Sequence, residues 1–182
     1  MKEEHDDGVL LRRVLAGETR VYAQLVDRYR GRLGRYALRM LGNRDDAEDA
    51  LQDSFIRAYR SLARCEGPHG FGPWIFGILV NRCRTHAAKR ARTQGIMVRD
   101  DVALAAASVA PSESRDGLRD AIARALEQLP VEQREAFLLK HVEDLTYEVM
   151  ERVTGVRPAT LRMRVFRARD ELRKLLAETV RD

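Results

Sequence analysis

Cysteine is scarce in this chain: there are two in 182 residues, Cys65 and Cys83. The charged start MKEEHDD does not resemble a signal peptide, so a cytoplasmic protein with reduced thiols is expected. Long apolar runs are missing as well. None approaches the roughly 18 residues that a membrane span requires, which excludes insertion through a helix. Lysine occurs only at Lys2, Lys89, Lys140 and Lys174, so arginine supplies nearly all the positive charge. Its planar fork suits phosphates and guanine edges better than an ammonium does. No stretch alternates as a strand would, no glycine-rich phosphate loop appears, and no nucleophile, base and orienting group recur at a catalytic spacing. An enzyme is therefore not expected, and no cofactor is implied.

What is present is charge and helical periodicity. The formal net charge is +5, unevenly distributed. Arg82, Arg84, Lys89, Arg90, Arg92 and Arg99 follow one another with no acid between them, and a second cluster spans Arg157, Arg162, Arg164, Arg167, Arg169, Arg173 and Lys174. Two basic helices point to two contacts with a polyanion, although solvated helix faces carry such charge too. Periodicity predicts an all-α protein. A short helix over Val9 to Ala16 stops at Gly17, and a longer one with a stripe from Val21 through Leu25, Leu33, Ala37 and Leu38 to Leu41 ends at Gly42-Asn43. A third starts in a capping-box-like Asp45/Glu48 pattern and lines up Ala47, Leu51, Phe55, Ala58 and Leu62 on one face. After a Gly/Pro-rich loop over Cys65 to Pro73, a fourth runs from about Trp74 to Arg92.

Between Thr93 and Gly117 the pattern fails, which marks a flexible linker between two small helical domains, residues 1–92 and 118–182. Periodicity resumes at Leu118, Ile122, Leu126 and Leu129, and Pro130 opens a further helix. The last elements are a short helix over Thr146 to Thr154, a Gly155-Val156-Arg157 turn, and a helix from Pro158 to about Ala177. This is the spacing of a helix-turn-helix, whose second helix enters a major groove. Leu161, Val165, Ala168 and Leu172 can face inward; Thr160, Arg162, Met163, Phe166 and Arg167 fall on or near an outward face.

Here a family resemblance emerges. LEQLPVEQREAFLLKHVEDLTYEVMERVTGVRPATLRMRVFRARDELRKLL resembles the fourth conserved region of the sigma-70 family, and LVDRYRGRLGRYALRMLGNRDDAEDALQDSFIRAYRSL resembles its second. FGPWIFGILVNRCRTHAAKRAR resembles the stretch that melts the minus-10 element. With room for only two domains and a linker, the chain is most similar to the small extracytoplasmic-function (ECF) group. The resemblance implies a sigma factor that binds core RNA polymerase and promoter DNA and is held inactive by an anti-sigma protein. It implies polymerase docking through Asp49, Gln52, Asp53 and Arg57. For the minus-10 element it implies Phe71, Trp74, Asn81, Arg82 and Lys89, although Trp74 and Phe76, aromatics near a helix start, suit a core better than a stacking platform. For the minus-35 element it implies Arg157, Thr160, Arg162, Met163, Phe166 and Arg167.

The chain departs from the family pattern at four places. Glu151 stands where a small alanine is usual, Thr154 where leucine is frequent, Arg157 in place of a Ser/Thr cap, and Met163 where a small polar residue is common. A carboxylate at 151 must reach solvent or a partner such as Arg157 or Arg164, because unpaired burial is costly. Cys65-x3-His69 and Cys83-x2-His86 supply the residue types of a zinc site, but Cys83 lies more than two turns beyond the loop, and no metal is expected. The rival reading is a stand-alone helix-turn-helix regulator that binds duplex DNA without polymerase.

Overall fold

The computed structural model describes residues 2–65, 70–97 and 115–179; within them are eight α-helices, two short 3-10 turns and no strand. Helix α1 spans Lys2–Leu15, α2 Tyr22–Leu41, α3 Arg44–Arg60 and α4 Phe71–Met97. The second half contains α5 Arg115–Gln128, α6 Val131–His141, α7 Tyr147–Thr154 and α8 Pro158–Thr179. Most of the linker expected at 93–117 lies outside the described residues, which resume at Arg115 after α4 ends at Met97.

The first half is organised by apolar stripes on α2, α3 and α4. Leu25, Leu33, Tyr36, Ala37 and Met40 of α2 are buried against Ala47, Ala50, Phe55 and Ala58 of α3 and Phe71, Ile75, Phe76, Leu79 and Val80 of α4. Leu38, expected in that stripe, is exposed, and Tyr36 and Met40 take the core positions instead. Both ends of the α2–α3 connection are decided by local chemistry. Gly42 adopts the left-handed conformation, φ 71°, that closes a helix most cheaply in glycine. Asn43, not Asp45, caps α3: its side-chain oxygen accepts from the Asp46 N–H at 3.1 Å.

Helix α1 begins well before the expected Val9. Asp7 anchors it, buried and accepting from the Arg28 guanidinium and the Tyr29 hydroxyl of α2. A buried carboxylate is tolerated only with such partners. In the second half, Ala121, Ala125 and Leu126 of α5 and Leu129 just after it face inward, whereas Leu118 and Ile122 of the expected stripe are exposed.

The two halves are docked on one another through contacts of α2 with α5 and α6, and of α4 with α7. The apolar cluster runs through both halves, and ion pairs and charge-assisted hydrogen bonds cross the seam beside it. Arg84 of α4 donates a fork of two hydrogen bonds, 2.6 and 2.7 Å, to Glu135 of α6, which is only 1% exposed, and a third to the Thr154 carbonyl at 3.2 Å. Arg32 of α2 donates to the buried Glu143 carboxylate at 2.6 Å and to its carbonyl at 3.0 Å. Arg134 of α6 donates at 2.7 Å to the Met40 carbonyl and Arg90 at 3.1 Å to that of Leu41, so two cations cover the negative end of α2. Close backbone approach is needed as well: a side chain at Gly42 would overlap the Glu127 carboxylate.

Candidate nucleic-acid and polymerase interfaces

Helices α7 and α8 form the helix-turn-helix. Thr146 caps α7 by accepting from the Val149 N–H at 3.4 Å, and Gly155, φ 70°, ends it with its N–H on the Glu151 carbonyl at 2.7 Å. Leu161, Val165, Ala168 and Leu172 of α8 are buried, while Arg157, Thr160, Arg162, Met163, Phe166 and Arg167 are all exposed. The departures from the family pattern are accommodated. Glu151 and Arg157 face solvent. Thr154 is buried but satisfied, donating to the Met150 carbonyl at 2.7 Å and accepting from the Val156 N–H at 3.2 Å.

One feature of the helix-turn-helix escapes a reading by sequence. The Tyr147 ring of α7 lies under two cations, with the Arg162 guanidinium 5.0 Å and the Lys140 ammonium 5.4 Å from its centre. A cation over an aromatic face gains on the order of 0.5–1 kcal/mol when exposed, enough to bias the Arg162 rotamer. The i, i+15 separation carries no periodic signal.

On α3, Asp49 and Gln52 are exposed opposite the core face. Asp53 is engaged by Arg57 of the same helix at 2.8 Å and Arg82 of α4 at 3.4 Å. The hydrogen bond from Arg57 is the main reason its carboxyl is held below the usual range. Beside Gln52 runs a groove between α2 and α3 of about 770 Å³, floored by Gly31, Gly34, Leu51 and Phe55 and flanked by the exposed Leu38 and Ile56. Gly31 and Gly34 line it without a side chain, each at a cost of about 1 kcal/mol against alanine inside a helix.

Helix α4 divides the expected minus-10 set. Asn81 and Lys89 are exposed and Arg82 is half-buried. Phe71 is fully buried, edge-to-face with Tyr29 at 5.3 Å, and Phe76 is buried against Tyr36. A side chain packed in that core cannot stack on a base, so Phe71 is corrected from a DNA contact to a core residue. Trp74 is half-buried beside Phe71. The basic run is divided too: Arg84 turns to the seam, the exposed Arg90 donates to the Leu41 carbonyl at the end of α2, and Arg99 lies outside the described residues. Of the zinc-type residues, Cys83 is buried in the core, Cys65 is half-buried, and His69 lies outside the described residues. No described helix is long and apolar enough to cross a membrane.

The sigma-70 region 2 profile matches residues 25–93, and the sigma-70 region 4 profile matches residues 119–172. The chain is 30% identical to the RNA polymerase sigma-H factor of Pseudomonas aeruginosa over the whole of both proteins. The chain belongs to the sigma-70 family.

Other relatives place this sigma factor in the ECF group. It is 33% identical to the RNA polymerase sigma factor CarQ of Myxococcus xanthus, covering 89% of this chain and 92% of that one. It is 29% identical to the ECF sigma-E factor of Haemophilus influenzae, covering 93% and 95%. Among solved structures it resembles the sigma factor RpoE of Bartonella quintana, crystallised with the anti-sigma factor NepR. The TM-score is 0.68 at 27% identity, covering 86% of this chain and 96% of that one. The two profiles fall on the two halves of the sigma factor: region 2 on α2–α4 and region 4 on α5–α8.

Proposed function

We propose that this protein binds core RNA polymerase and directs it to promoters, reading a minus-35 element with α8 and a minus-10 element with α4, without catalysing a reaction itself. The observation that carries the reading is the face of α8: Arg162, Met163, Phe166 and Arg167 stand exposed on a helix whose other side is anchored by four buried apolar residues. Polymerase docking is assigned to Asp49, Gln52, Asp53 and Arg57 on α3. The minus-10 contact is assigned to Asn81, Arg82 and Lys89, with Trp74 at its edge. Backbone contacts near the minus-35 element fall to Arg157 and Thr160. The protein acts in the cytoplasm, where polymerase is, and an anti-sigma protein is its regulatory partner, as NepR is for RpoE.

In this reading the docked state is a resting one. Helix α7 packs on both α4 and α8, so the two reading helices lie on the order of 20 Å apart at helix spacings of about 10 Å. Two elements about 25 base pairs apart lie roughly 85 Å apart along B-DNA at about 3.4 Å per pair. Residues 1–92 and 118–182 must therefore part along the seam to engage both.

The test is transcription from a genomic template by core polymerase supplemented with this protein, followed by sequencing of transcript 5′ ends. Initiation at sites sharing two spaced elements is expected. Tight binding to a palindromic duplex without polymerase, together with no initiation, would establish the stand-alone regulator instead.

A further inference from the structure

The outward face of α8 has an unusual composition at its centre. At about 100° per residue, Phe166 and Met163 straddle the direction opposite the buried Leu161–Leu172 stripe, and Arg162 and Arg167 follow about 40° further out on either side. The four buried residues confirm the orientation of the helix, and Met163 and Phe166 are 51% and 59% exposed. Two large apolar side chains are thus displayed together, flanked by cations, on a helix whose other large apolar residues are buried or half-buried. Nothing among the described residues covers them, and the flanking arginines match a polyanion rather than an apolar protein surface.

In a major groove, the thymine C5-methyl is the apolar group on a base-pair edge, and arginine pairs with the O6 and N7 of guanine. We infer that Met163 and Phe166 together form a reader of thymine methyl groups at the centre of the minus-35 element, bracketed by guanines contacted through Arg162 and Arg167. The inference rests on the assignment of α8 to the minus-35 element. It gives Met163 a definite consequence: where a small polar residue would accept a hydrogen bond, this protein selects a methyl group.

The experiment uses the full-length protein with core polymerase on a promoter located by 5′-end mapping. Each thymine of the upstream element is replaced singly by deoxyuridine, which removes only the methyl, and complex lifetime is measured. Loss of one buried methyl corresponds to a three- to fivefold effect. Shortening by that factor is expected at one or two neighbouring positions and not elsewhere. Met163→Ser should abolish the sensitivity at one position and Phe166→Ser at the other. Both side chains are exposed, so the variants keep the fold. If uracil is tolerated everywhere, if the upstream element has no thymine, or if both variants keep the wild-type sensitivity, the inference is overturned. Arg162→Ala and Arg167→Ala separate the two levels. If they weaken initiation while uracil has no effect, methyl reading alone fails; if they too have no effect, the minus-35 assignment fails with it.

Discussion

The interior of the first half and the seam between the halves share one apolar cluster but differ in the charged groups that the seam adds to it. Between α2, α3 and α4 the contacts are apolar and aromatic, with Leu25, Leu33, Phe71, Ile75 and Leu79 wholly withdrawn from water. Across the seam the apolar cluster continues, and charged groups join it: Arg84, one-third exposed, on the buried Glu135, Arg32 on the buried Glu143, and Arg134 on backbone carbonyls. Apolar burial gains from every Å² removed from water, whereas a buried ion pair roughly cancels its own desolvation against its attraction. The first kind of contact makes a permanent unit. The second sets the register of the two halves at little net gain of its own, because each charge regains water on opening. A factor that must span two distant DNA elements needs both.

The contrast can be broken at several points. The largest effect is expected from Phe71→Ala in the core, a loss of about 4 kcal/mol in the unfolding free energy of the first half, read by denaturant titration. The variant also separates the core role from a base-stacking one, since a DNA contact alone would leave stability unchanged. Glu135→Ala should act on the seam instead. It strands Arg84, itself one-third exposed, and weakens docking by about 2 kcal/mol, less than a fully buried pair would lose. Probes on α4 and α8 should then report a longer distance by energy transfer, while each half keeps its helical signal. Unfolding of the first half together with the separation would show the seam to be part of its core.

Tyr36→Phe sharpens the comparison at the boundary. The hydroxyl is fully buried without a hydrogen-bond partner, and desolvation, with the nearby Glu135 charge, drives its pKa well above the ordinary value. Removing it should leave stability unchanged or raise it by up to about 1 kcal/mol, measured as thermal midpoint. The smallest effect concerns pH. His141 has its pKa lowered, chiefly by burial and then by Lys140 and Arg169. The unfolded chain therefore binds this proton more readily, and the sign follows: stability is full above about pH 6.5 and declines as pH falls below it. His141→Gln should flatten that part of the profile, and an unchanged slope would assign it to other groups.

Much of the candidate site was legible because it is periodic. Leu161, Val165, Ala168 and Leu172 recur at helical spacing, and that spacing alone turns Arg162, Met163, Phe166 and Arg167 outward. Gly155 and Pro158 mark the turn through their backbone preferences. Legibility fails where partners are remote in sequence. A run of arginines in α4 reads as one basic face, yet Arg84 is drawn inward by an acceptor 51 residues away and the exposed Arg90 is tied to one 49 residues away. Phe71, next to the glycine-rich loop, resembles an exposed stacking ring until Tyr29 closes over it.

By itself, then, the sequence determined the helices, the helix-turn-helix and the composition of its reading face, because these depend on residues one or two turns apart. Only the tertiary structure decided which cations remain available to DNA and which close the seam. It also decided that Asp7, Glu135 and Glu143 are buried anchors and not surface acids. The physical reason is that a charge can enter the interior only where its partner already waits, and Arg32 and Glu143 meet across 111 residues of chain.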